Sequence, residues 1–202
     1  RSAMQIELRG NADLRKALRR FAPDLEKSLK IELKRRLAPI AQTARGYVPS
    51  QSPLSGWSPR SFNEGSFPTY NAGVIKSKIG FSTAVTKRNA KGFNSMASVF
   101  NNSRAGAIYE SAGRNGAQGQ PWVGPKGPAG HKYSHSYNPK AGEQFIGAME
   151  PLTGSLKGRG RLIFKAWSRN KGVAEGIVNK AISTAEQELY RRSKSGALGR
   201  AA

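Results

Sequence analysis

Two histidines stand four residues apart in the segment His131-Lys132-Tyr133-Ser134-His135. On one face of a helix that spacing brings two imidazole nitrogens to a zinc ion. Here the surrounding sequence is loop-like, no Glu follows the first His, and Glu143 is the nearest carboxylate. No metal site is expected. Gly119 and Gly124 have the spacing of a phosphate-cradling loop, but Pro125 stands where that loop needs Lys, and no helical pattern follows. Cysteine is absent, which removes thiol nucleophiles, zinc knuckles and disulfides together. A Ser-His-Asp triad would have to be built from the one loop that holds both histidines. The 12 acidic residues lie mostly on helical segments among Lys and Arg. The sequence therefore predicts no catalytic, cofactor-binding or metal-ligating residue.

What remains is charge. The 34 Lys and Arg residues against 12 Asp and Glu give a formal +22, and such self-repulsion implies an acidic partner. Nucleic acid, an acidic protein surface and a membrane surface are the candidates. No run approaches the 18 or so apolar residues that cross a bilayer, and Arg1-Ser2-Ala3-Met4-Gln5 lacks the apolar core of a secretory signal. A membrane role is not expected, and assembly in a cytoplasm is.

The elements that must position this charge follow from spacing. Gln5 to Arg9 alternate as a short strand, ended by Gly10. Asn11 is placed to cap a helix through Phe21, and Pro23, Asp24 and Glu26 suit the start of a second. Leu14, Leu18, Phe21, Leu25, Leu29, Leu33, Leu37, Ile40, Ala44 and Val48 step by three or four throughout, one apolar face across both. Pro39 should kink the second helix. At 100° per residue, Lys27, Lys30, Lys34 and Arg45 gather opposite the leucines, and Ile31 also falls outside the apolar stripe. They form a candidate surface for an acidic partner, with Ile31 as an apolar contact; an ordinary solvated face is the alternative.

Residues 49–72 and 114–142 read as two long Gly/Pro-rich loops. Trp57, Phe67 and Tyr70 lie in the first and Trp122 in the second. Such aromatics predict either arms that order against neighbouring subunits or loops that pack back on their own domain. Residues 73–86 and 93–101 read as a strand hairpin, Ala105 to Ala112 as a short helical turn, Arg161 to Trp167 as a buried strand or helix start, and the chain then stays helical to about Arg192. The outline is α+β, a single domain over residues 1–202. A long kinked N-terminal helix and a C-terminal helix pack on a small antiparallel sheet.

This order of elements resembles the head–tail joining and tail-completion proteins of long-tailed bacteriophages. The resemblance is carried by Tyr47-Val48-Pro49 with Ser55-Gly56-Trp57, by Asn102-Ser103-Arg104-Ala105-Gly106-Ala107-Ile108-Tyr109-Glu110-Ser111-Ala112-Gly113, and by Gly160-Arg161-Leu162-Ile163-Phe164-Lys165-Ala166-Trp167. It implies a virion structural role at the neck, without cofactor or catalytic site. It also implies a homo-oligomeric ring, six-fold by the symmetry of the tail or twelve-fold on the head side. Neighbouring neck and tail proteins would be the partners, with phage DNA threading the lumen. A chain this size is roughly 40–45 Å across, and duplex threading such a ring presents about 25 charges. Six copies of +22 make a formal +132, so DNA would answer only a minority of the charge. A basic nucleic-acid-binding protein without catalytic activity is the alternative.

Overall fold

A computed structural model describes residues 4–9, 12–54, 57, 68–86, 95–116, 138–155 and 158–196; the side chains of 5–9, 12, 13, 171–175, 177 and 178 lie outside that description. The chain runs β1 (Met4–Arg9), α1 (Ala12–Phe21), α2 (Pro23–Gly46), α3 (Ala72–Lys78), β2 (Ile79–Ser82), β3 (Ser95–Asn101), α4 (Arg104–Ser111), α5 (Ala141–Gly147) and α6 (Ile163–Lys194). The fold is α+β.

The leucine spacing forms the expected buried face, but Phe21, expected on it, is 41% exposed. Leu29, Leu33, Leu37 and Ile40 of α2 are buried against Ile79, Val99, Leu162 and Ile163, and α1 adds Leu14 and Leu18 to the same core. α2 continues through Pro39, which has no N–H to offer the preceding turn. α2 and α6 are roughly 36 and 48 Å long at 1.5 Å per residue. They lie antiparallel and are pinned at both ends. Arg192 meets Asp24 at 2.8 Å at one end. At the other, Arg169 donates to the Tyr47 hydroxyl at 2.8 Å and the Lys165 ammonium sits 4.6 Å over the Tyr47 ring.

Beneath the two helices lies a three-stranded antiparallel sheet with β3 in the middle, in the order β1-β3-β2. Ile79 pairs with Asn101 and Phe81 with Val99 on one side, and Ile6 pairs with Val99 on the other, with a bulge at Leu8/Arg9. α2 packs over β2 and β3, and α6 over β1 and β3.

One expectation needs correction. Residues 73–78 are helix, not strand. The Asn71 side chain accepts a hydrogen bond from the Val74 N–H at 3.0 Å, an N-cap that starts α3 and turns Ile75 into the core. Only Ile79–Ser82 joins the hairpin. The first loop takes the second of its two alternatives, since its described aromatics fold back on their own domain. Trp57 is 1% exposed, its Nε1 donates to the Pro68 carbonyl at 2.7 Å, and its ring meets those of Tyr70 and Phe145 at 5.2 Å each. Tyr70 is also buried and its hydroxyl donates to the Pro49 carbonyl at 2.6 Å. Burying two rings with both polar tips satisfied gains more than holding them in water. Neither side chain is available to a partner. Tyr70→Phe should lower stability by about 1 kcal/mol, because the Pro49 carbonyl loses its donor while the ring packing stays. A melting temperature equal to the parent's would show that this bond contributes nothing.

In the second half, Arg161 to Trp167 holds a helix start: α6 begins at Ile163 and runs as one helix to Lys194. Gly113, with φ of 78°, ends α4 in the left-handed conformation that favours glycine.

Candidate interaction surface and the clasp behind it

The basic residues of α2 divide once their partners are known. Lys27 and Lys34 are exposed and make no ion pair among the described residues. Ile31 is 56% exposed beside them. Lys30 reaches Glu26 at 3.0 Å. Arg45 is spent on structure, since its Nε and Nη2 donate to the Ile79 carbonyl at 3.1 and 2.7 Å and tie the end of α2 to β2. The candidate surface thus narrows to Lys27, Lys30, Ile31 and Lys34. Trp57 and Tyr70 are interior, and Phe67, Trp122 and the His131/His135 pair lie outside the described residues.

Behind this flank sits a buried charge cluster. Arg15 is 1% exposed; its Nη2 meets Glu26 at 2.7 Å, and its Nη1 donates to the Thr83 and Met96 carbonyls at 2.6 and 2.9 Å. Arg19 approaches the same carboxylate at 3.4 Å. Burial alone would raise the Glu26 carboxyl, but the hydrogen bonds from Arg15 and Lys30 outweigh it and hold the group below its ordinary value of 4.5.

A second buried cluster joins the two segments 102–113 and 160–167. α6 has no side-chain cap of its own. Glu110, fully buried on α4, supplies one from afar: its carboxylate accepts the N–H groups of Leu162, Ile163 and Phe164 at 3.0, 2.9 and 3.0 Å. A negative charge there also complements the positive end of the helix. Burial pushes this carboxyl above its ordinary range, against the pull of the three N–H groups and of Arg114 nearby. Arg161 returns the favour at the other helix. Its Nη1 donates to the Tyr109 and Ala112 carbonyls at 2.9 and 2.8 Å, at the negative end of α4, and its Nε donates to the Glu150 carbonyl. Arg114 and Arg159 add a pair of crossed bonds, each guanidinium donating to the other's carbonyl oxygen. Each helix is capped by a residue next to the other's end.

Glu110 and Arg161 lie in the two segments that carry the resemblance, yet local spacing points to no role for either. The signal was a single charge set inside an apolar run, in Ile108-Tyr109-Glu110 and Arg161-Leu162-Ile163. Such a charge is buried only if paired. Chemically, both buried clusters are consumed in holding the chain. Every carboxylate oxygen in them already faces a donor, which leaves neither Glu26 nor Glu110 poised to move a proton to a substrate.

Among the described residues no group of three or more His, Cys, Asp or Glu could hold a metal ion, and no helix is long and apolar enough to cross a membrane. No protein-family model, curated protein or solved structure matches the chain.

Proposed function

We propose that the chain is a non-catalytic structural protein of a tailed bacteriophage, a subunit of the ring that completes the tail where it meets the head. The observation that carries this reading is the clasp. The two segments whose residues resemble that family, 102–113 and 160–167, meet in space and cap each other's helices through Glu110 and Arg161. Two further facts support it: the buried ionisable groups are spent on the fold, and the basic flank of α2 stays open to partners. Six copies form the ring at the neck of the virion, assembled in the host cytoplasm beside neighbouring neck and tail proteins.

The test is genetic. Deleting the gene from its phage should leave DNA-filled heads beside unattached tails, and the chain supplied from a plasmid should restore infectious particles. Normal particles from the deletion strain would overturn the proposal. So would the chain's absence from purified virions.

A further inference from the structure

Each acid of α2 is already answered by a cation. Glu32 lies away from the lysines and is answered by Arg35 and Arg36 at 3.7 and 3.9 Å, while Asp24, one turn before Lys27, is answered by Arg192 at 2.8 Å. With Asp24 taken by Arg192, the acid left to the lysines is Glu26, and it is buried. Three cations converge on that single carboxylate: Arg15 at 2.7 Å, Lys30 at 3.0 Å and Arg19 at 3.4 Å. The buried Arg15 neutralises it. Arg19 and Lys30, whose side chains are 56% and 44% exposed, are then in excess, and exposed Lys27 and Lys34 extend the row on either side. Four cations in excess of the available carboxylates repel one another on one rigid flank, which leaves it a net positive row.

We propose that this flank binds duplex nucleic acid through its phosphate backbone. Lysine ammoniums are compact point charges on flexible stems, suited to phosphate oxygens and blind to base sequence. Lys27 and Lys34 are separated along the helix by roughly 10.5 Å, about three base steps of a strand at 3.4 Å each. The stoichiometry rests on the ring reading above. With four charges from each copy, six copies bring about 24 to the lumen, against about 25 on the duplex threading a ring of this thickness. The whole formal charge would exceed the duplex about fivefold, whereas this flank matches it. The lysine flank of α2 is thus the wall that faces the DNA.

The test is fluorescence anisotropy with a labelled random 24-base-pair duplex, titrated between 0.05 and 0.3 M NaCl. Lys27→Glu/Lys34→Glu should weaken binding at least tenfold at 0.1 M and flatten the salt dependence by about two ions. Lys76→Glu/Lys180→Glu makes the same change of net charge at exposed sites on α3 and α6 and should weaken it less than threefold. Equal losses from the two variants would overturn the proposal in favour of diffuse charge. Undiminished binding by the first variant would overturn it too. Poly-L-glutamate competing as well as unlabelled duplex, at equal charge, would assign the flank to an acidic protein instead. Circular dichroism melting checks that both variants fold. Because binding is measured on the purified chain, a failure here leaves the gene-deletion result standing, and the reverse.

Discussion

Gly160→Ala should lower the melting temperature by roughly 6–12 °C, the largest effect expected from adding a single methyl group anywhere in the described chain. Gly160 is buried, and its backbone is not in the left-handed region, so alanine meets no conformational penalty of its own. The obstacle is space. A Cβ at this position would run into Oε1 of Glu110 and stand 2.9 Å from both Glu110 Cδ and Phe164 Cβ. The carboxylate cannot retreat without releasing the N–H groups of Leu162, Ile163 and Phe164, and α6 cannot retreat without releasing the core. Buried donors left without acceptors cost about 1–3 kcal/mol each, so a total of about 3 kcal/mol is a conservative figure. Glu110→Gln should act in the same direction at the same place, because its amide would turn an N–H₂ toward backbone donors. Differential scanning fluorimetry on the two single variants measures both. A Gly160→Ala protein melting within about 2 °C of the parent would sink the idea that this carboxylate anchors α6.

The second large effect is expected at Arg15. Arg15→Met should cost about 3–5 kcal/mol, the range for breaking a buried ion pair by removing one partner. The guanidinium ties three elements at once, to Glu26 of α2, to the Met96 carbonyl of β3 and to the Thr83 carbonyl just past β2. Lysine does not replace it, since one ammonium cannot span that fork. Arg15→Met/Glu26→Leu should recover part of the loss, because the stranded carboxylate is gone. The recovery stays incomplete while the two carbonyls lack a donor. The pair also sets an acid limit. The folded Glu26 titrates below its ordinary 4.5, so the folded state binds this proton less readily than the unfolded one. Its contribution is complete above that value and is lost as pH falls through the folded pKa. Urea midpoints of the parent and the double variant should therefore converge as pH is lowered below about 4.5. Curves that stay parallel from pH 7 to pH 3 would refute this linkage.

Local pattern was enough for the long elements. Leu29, Leu33, Leu37 and Ile40 announce α2 by their spacing, and the residues after Val173 announce the C-terminal helix. α3 was missed because a seven-residue helix shows barely two turns of periodicity, while Val74 and Ile75 favour strands by type. Its start was nevertheless written in the Asn71 cap. The loop aromatics were ambiguous for a different reason: composition says that Trp57 and Tyr70 want burial, not which surface buries them. Lys30 and Arg45 looked like neighbours of Lys27 on a wheel, but a wheel shows direction and not the partner waiting there. Glu110 and Arg161 act across 52 residues of sequence, beyond any local window. Arg15 was closer to legible, because it falls on the apolar side of α1 between Leu14 and Leu18.

The mutual capping of α4 and α6 also settles what kind of closure this chain uses. It joins positions 52 apart without a covalent bond, as a cysteine-free chain must. The residues between are held at one neck, and the entropy of closing such a loop grows only logarithmically, by about 0.6 kcal/mol for each doubling of its length. A change in the length of the intervening segment therefore costs little in closure entropy, provided Glu110, Gly160 and Arg161 stay together with Arg114, Arg159 and the Phe145 and Met149 that pack on the core. Variation in chains of this design should accumulate between this neck and α5, while the neck and the core contacts of α5 stay constant.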